Sequence, residues 1–400
     1  MRSRITTRDS ITFFLLSLHF CHDAKTKQKN LVGHNTRSAP TTLRQCLGWA
    51  RCSWWLCFRR LNIIVMNLQQ YKEHFNTHLE ARLDTKLDSV REYFPDEQTF
   101  DLLIYLRPYV DHGKRFRPYM VYLWYSMHGG QDMEYITRVG IISEMIHIFA
   151  LIHDDICDQG TMRHGIPTYH KELWSRYWDE HVGLSQAMLI WDLVYTRAIQ
   201  EACTHLGNTS AHQIVLDMLN EVVVGQMLDI DFSHRSEMRS AVDIANKDHL
   251  KSGQYTFQKP MMIGASLWWI QDLSAIESLW KKIWVAFQMR DDLLDWIPNK
   301  EWKTKMSDIQ EWNQTVVMLT CHEHFSETDF TTLLWYRGQQ LDESQISELK
   351  SLFEKYAIQE KVLTQIHSLL EEVRDEFNAL ENRSESAMFF ENIIDMLKIV

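Results

Sequence analysis

The chain has 400 residues, 45% of them hydrophobic and 24% charged, a balance that excludes collagen-like, low-complexity and wholly disordered polymers. Its net charge of −11 argues against a protein whose main task is to grip nucleic acid. No uninterrupted apolar run approaches the ~18–20 residues that span a bilayer, so integral membrane association is not expected, and seven scattered Cys make no disulfide framework.

Residues 1–65 stand apart. They carry 11 Lys and Arg against 2 Asp and Glu, whereas the other 335 residues have a net charge of −20. Ile11 to Phe20 follows Arg2, Arg4 and Arg8 as in a signal peptide, but no small-residue cleavage site follows and Asp9 interrupts the basic flank. The segment reads as a disordered leader or as spurious translation upstream of the true start. Met66 opens a regular amphipathic pattern through Leu68, Tyr71, Phe75, Leu79, Leu83 and Leu87 and reads as an initiator.

From 66 to 400 apolar residues recur at three- and four-residue spacings, and strand-like alternation is absent. Turns are marked at Gly129-Gly130, Gly160 to Thr168, Gly207-Asn208 and Pro298-Asn299. The expectation is one all-α domain of about ten or more helices, large enough for a substantial core.

In chain order, Gly113-Lys114-Arg115-Phe116-Arg117-Pro118 packs three cations ahead of an apolar helix. His147 then lies on an apolar face, where a lone His is more often a core residue than a ligand. Ile141 to Ile152 leads into Asp154, Asp155 and Asp158. On a helix, Asp154 and Asp158 share a face, and like charges at that spacing are unfavourable unless a cation bridges them. Lys251-Ser252-Gly253-Gln254-Tyr255-Thr256 and Lys303-Thr304-Lys305 add cations in polar turns. Between them, Ile283 to Phe287 leads into Gln288 and a second acidic cluster, Asp291, Asp292 and Asp295, 137 positions after the first. One such cluster is commonly a solvated helix face. Two copies, each abutting an apolar helix, suit Mg²⁺, which takes one or two carboxylates and shares the rest of its shell with phosphates. Together these residues describe a pocket for polyanions.

Over roughly 66–400 the chain resembles the trans-isoprenyl diphosphate synthases, or polyprenyl synthases. Five motifs fall in that family's order: 113–118, His147 to Asp158, Arg163 to Thr168, Lys251 to Thr256, and Phe287-Gln288 with the second acidic cluster. The resemblance implies an isoprenoid-synthase-type helical bundle around a central cavity and a cytoplasmic homodimer. It also implies a prenyltransferase that condenses isopentenyl diphosphate with an allylic diphosphate, giving geranylgeranyl or farnesyl diphosphate. By resemblance, Asp154, Asp158 and Asp291 bind three Mg²⁺, with Asp155, Asp292 and Asp295 as further or outer ligands; these six and Lys251 form the catalytic set. Lys251, Lys303, Arg163 and Gln288 would hold the allylic diphosphate. Lys114, Arg117 and His147 would hold isopentenyl diphosphate, and Arg115, Gln226 and Ser252 complete the substrate-binding set. Phe149 would form the floor that limits chain length, with Ala150 leaving room beside it; ordinary core packing is the other role open to Phe149. A terpene cyclase of the same fold and a non-catalytic partner subunit are the alternatives.

Departures from the family are informative. His164 stands where a second Arg is usual, and lacks its fixed fork of donors. Asn313 stands where many members have Lys. Trp191, Trp284, Trp302 and Trp312 stand where the family has Gly, in a chain with 15 Trp and only 14 Gly. These residues are expected either to be Gly in the living protein, through a codon read as glycine, or to mark a degenerate copy or lineage-specific packing.

Overall fold

The computed structural model describes residues 66–91, 93, 106–163, 165–235, 237–267, 274–296 and 306–379. The expected leader, His164, Trp302, Lys303 and the Pro298-Asn299 turn lie outside them. Helices dominate the described residues, in this order: α1 Leu68–Arg91, α2 Arg107–Asp111, α3 Phe116–Met127, α4 Met133–Cys157, α5 Tyr169–Tyr177, α6 Glu180–Leu206 and α7 Ser210–Ser233. There follow α8 Ala241–Asp248, a π-helix His249–Gln258, α9 Lys259–Ser266, α10 Ser274–Trp296, α11 Ser307–Gln310, α12 Val316–His324, α13 Glu327–Trp335, α14 Glu343–Lys355 and α15 Ile358–Ala379. The Gly160 to Thr168 turn holds a hairpin, β1 Met162–Arg163 and β2 Ile166–Pro167, pairing Arg163 with Ile166. Strands of two residues leave no alternation to read.

α4 organises the bundle. Ile136, Val139, Ile142, Ile146, Phe149 and Ile152 are buried, as are Thr137, Ser143 and Glu144. A helix buried on nearly every side belongs at the centre, and α4 packs on α3 and α6. It is long and apolar enough, by length and composition alone, to cross a membrane, yet 67% of its apolar window is buried inside the bundle. Asp132 caps its start, accepting from the Tyr135 amide at 2.9 Å. The chain leaves α4 at Asp158, so the first acidic cluster sits at its carboxyl end.

α7 approaches the π-helix backbone closely, and Gly225 is the reason: a Cβ there would lie 2.1 Å from the Lys251 amide nitrogen. The wider turns of a π-helix recur at functional sites, and this one carries Lys251 and Ser252.

Arg115 corrects an expectation. It was grouped with the substrate-binding cations, but it is 3% exposed and faces the core. Its guanidinium donates to Glu144 at 2.5 Å, Asn76 at 2.7 Å, and the carbonyls of His112 and Val110. The backbone turns left-handed at Arg115, φ 55°, and Arg115 is buried where Lys114 is exposed. Removing one partner of a buried pair strands a charge, so Glu144→Ala should cost about 3–5 kcal/mol. Denaturant unfolding checks this, and a loss below about 1 kcal/mol would show that the pair is dispensable.

Two Trp occupy the same left-handed region. Trp178 follows α5 with φ 55°, its amide donating to the Trp174 carbonyl, and its side chain is 89% exposed. Trp312 has φ 57° and is fully buried. That conformation costs an L-residue about 1–2 kcal/mol and glycine nothing. The indole nitrogens of Trp191 and Trp284 are buried without hydrogen-bond partners.

Candidate active site

Asp154 and Asp155 are adjacent in sequence but point about 100° apart around α4, and the structure gives them different work. Asp155 is buried: Tyr109 donates to it at 2.7 Å and Arg163 Nε at 2.8 and 2.9 Å. Tyr109 in turn accepts from the Tyr169 amide at 3.0 Å. Asp155 therefore holds Arg163, at the hairpin, against the tip of α4. Burial raises the Asp155 carboxyl, with Arg163 opposing.

Asp154 is partly open and meets two cations. Lys251 Nζ lies 2.9 Å from its Oδ1 and Arg163 Nη2 lies 3.3 Å from its Oδ2. A helix carboxyl end is already electronegative, and these cations offset the aspartates placed there. Burial acts to raise Asp154, but Lys251 and then Arg163 outweigh it and hold the carboxyl below its ordinary value. At Asp158 burial and then the neighbouring Asp154 outweigh Lys251 and push the carboxyl up to about 9.

Lys251 also touches Asp229 at 2.6 Å, and Asp229 meets Lys247 at 2.9 Å. Lys247 reaches Asp248 at 2.9 Å. Asp229 and Lys247 are buried. Burial acts to raise Asp229, yet Lys251 and Lys247 hold it far below the carboxylate range.

The second acidic cluster ends α10. Asp291 is exposed. Asp292 is buried, accepts from Gln288 Nε2 at 2.6 Å, and keeps its Oδ2 without a partner. Burial, then Asp248, raise it well above its ordinary value. Asp295 accepts from Ser307 Oγ at 2.8 Å and from the Asp308 amide at 3.0 Å, so it anchors α11, and both its oxygens are engaged. Glu311 links the two clusters: burial, then Asp154, with a smaller push from Asp295, raise it to about 7.

A second basic patch flanks Tyr255. Arg117 stacks on the Tyr255 ring at 4.4 Å and donates to Thr256 Oγ1 at 2.7 Å, and the His147 ring lies 6.1 Å from Tyr255. Lys114 is exposed nearby in sequence. Gln226 is buried on α7 with its side-chain nitrogen unpartnered; Ser252 follows Lys251 on the π-helix. Deeper along α4, the buried Phe149 packs on Trp191 and Tyr195, each ring at 5.3 Å, with Ala150 partly exposed beside it.

The carboxylates suit a hard divalent cation shared with a polyanion. Among the described residues no group of three or more His, Cys, Asp or Glu makes a ready metal cage. Carboxylates stand at two helix ends, Asp154 and Asp158 on α4 and Asp291 on α10, with a buried orphan oxygen on Asp292, and carboxylate is the ligand type that Mg²⁺ combines with phosphate oxygens.

Sequence reasoning missed Asp229, Lys247, Asp248, Tyr109 and Glu311. Asp229 follows Gln226 by three residues, a helical spacing that puts both on one face of α7 and could have flagged it. Nothing local marks the others.

A profile of the family described as polyprenyl synthetase matches residues 103–355. The chain is 31% identical over 257 residues to a short chain isoprenyl diphosphate synthase of Methanothermobacter thermautotrophicus, covering 62% of this chain and 74% of that protein. It is 27% identical over 271 residues to a geranylgeranyl diphosphate synthase of Methanosarcina mazei, covering 65% and 78%. Its fold matches the crystal structure of a Corynebacterium glutamicum geranylgeranyl pyrophosphate synthase complexed with isoprenyl diphosphate and magnesium. The TM-score is 0.74 at 23% identity, over 81% of this chain and 98% of that one.

Proposed function

The chain belongs to the polyprenyl synthetase family, and from that premise we propose that it is an isoprenyl diphosphate synthase. It would join isopentenyl diphosphate to an allylic diphosphate and release a short-chain prenyl diphosphate, geranylgeranyl or farnesyl. The observation that carries this reading is Asp154 at the tip of a buried apolar helix, flanked by Lys251 and Arg163 at 2.9 and 3.3 Å.

Asp154, Asp158 and Asp291 would hold Mg²⁺, three ions per site in this reading. When bound, the metal supplies Lewis-acid stabilisation of the negative charge that grows on the leaving diphosphate. Lys251 and Arg163 are preorganised donors for the same charge, with Gln288, Gln226, Ser252 and Lys303 completing the allylic side. Asp155 and Asp295 act by holding Arg163 and α11 in place. Arg117, His147 and Lys114 would bind the second diphosphate. Ionisation of the allylic C–O bond, attack by the isopentenyl double bond and loss of a proton follow, with the apolar flank of α4 keeping water from the cation. The released diphosphate would accept the proton.

A homodimer in the cytoplasm is part of the reading. Met188 and Leu189 on α6, with Val224, Met227 and Ile230 on α7, are exposed and are the apolar side chains a second copy would cover. The Arg117 and His147 patch disfavours a cyclase, which needs one diphosphate only, and two acidic clusters disfavour a non-catalytic partner.

Incubation with isopentenyl diphosphate, dimethylallyl or farnesyl diphosphate and Mg²⁺ tests the proposal: elongated prenyl diphosphates support it, whereas cyclic hydrocarbon or no turnover refutes it. Phe149→Ala should lengthen the principal product by at least one five-carbon unit, read by chromatography of the dephosphorylated chains. An unchanged product would leave Phe149 to core packing.

A further inference from the structure

We propose that Lys247 is a positioning residue that keeps Lys251 available to the allylic diphosphate; this rests on the function proposed above. Six buried or half-buried charges alternate in sign through the site: Arg163, Asp154, Lys251, Asp229, Lys247 and Asp248, each ion pair between 2.6 and 3.3 Å. Lys247 has three donors, and Asp229, Asp248 and the Gln314 carbonyl at 3.2 Å take them. It cannot reach a ligand itself, being 3% exposed. Its effect runs through Asp229, whose two oxygens are divided between Lys247 and Lys251. With Lys247 present, Asp229 is shared, and Lys251 can leave Asp154 for a phosphate while one contact still holds it. Without Lys247, the full charge of Asp229 falls on Lys251 and draws it inward.

The test is steady-state kinetics on the full chain. Lys247→Met should raise KM for the allylic diphosphate about tenfold, the loss of one charge-assisted contact, and leave KM for isopentenyl diphosphate within about twofold. In the Asp229→Asn background the same change should have little effect, because the connection is already cut. This second comparison decides the matter if the single variant does not fold. An unchanged allylic KM, an equal rise in both KM values, or a tenfold rise in the Asp229→Asn background overturns the proposal. Failure of the unmodified chain to elongate would instead refute the function.

Independent observations carry a second inference: positions 178 and 312 are glycine in the protein the cell makes. Both lie in the left-handed region, one exposed after a helix and one buried; among the described residues Arg115, Gln159, Met306 and Ala357 share that region. Glycine is the residue that adopts this conformation freely, and it is the usual one just past a helix. A codon read as glycine but rendered as tryptophan accounts for 15 Trp against 14 Gly.

Peptide mass spectrometry of the protein isolated from its own cells should find glycine at 178 and 312, and tryptophan at either overturns the inference. In the recombinant chain, Trp312→Gly and Trp178→Gly should raise Tm. Trp335→Gly, at the last residue of α13 and 74% exposed, should lower it. A fall in Tm for Trp312→Gly also overturns the inference.

Discussion

Asp154→Ala is expected to lower turnover about a thousandfold or more, the scale of losing a principal group that stabilises transition-state charge, with little change in fold. Asp154 meets Lys251 and Arg163 at the mouth of the site. Both cations keep other buried partners, Asp229 and Asp155, so removing the carboxylate leaves neither charge stranded. The loss should therefore appear in the rate and in the Mg²⁺ concentration needed for half-maximal activity, while Tm moves by only a few degrees. Asp154→Asn, which keeps shape and removes charge, should be nearly as damaging. Near-normal rates in either variant would sink the assignment of the first cluster to metal binding.

Chelation with EDTA should abolish elongation, and added Mg²⁺ should restore it. The metal-free protein should also show a distinctive dependence on pH. Burial and Asp154 push Asp158 up to about 9, and burial raises Asp292 and Asp155. Above pH 6.5 the unfolded chain has released these protons while the folded protein retains some of them. Stability must then fall as pH rises from about 6.5 to 9, since the folded state binds more protons. Below that window buried His170 and half-buried His249, held down at about 4, oppose this trend, because there the unfolded chain binds imidazole protons that the folded protein does not. Mg²⁺ with inorganic diphosphate should displace the retained protons and flatten the upper limb. Thermal melts at pH 6.5, 8 and 9, with and without both ligands, make the comparison. A metal-free Tm that rises across this range would show that Asp158 and Asp292 are charged already.

The dependence on charge networks explains why some of the site was legible in the chain and some was not. The acidic clusters announce themselves because Asp154 and Asp158, or Asp291 and Asp295, are one helical turn apart, and helical spacing is a local property. The basic segment at 113–118 shows the limit of that reasoning. Its three cations look equivalent in sequence, yet Arg115 is folded inward onto Glu144 and Arg117 stacks on Tyr255. The left-handed backbone at Arg115 separates them, and that turn is set by packing against α2 and α4.

Periodicity and spacing thus determined the all-α class, the central apolar helix and the two aspartate-bearing tips, since each depends on residues within a few positions of one another. The division of labour between Asp154 and Asp155, the burial of Arg115 and the path from Lys251 through Asp229 to Lys247 were decided only by the tertiary structure. A charge takes its role from the opposite charge it meets and from how much water surrounds them both. For Lys251 and Asp229 that partner lies 22 residues away in the chain, brought within 2.6 Å by α7 packing on the π-helix.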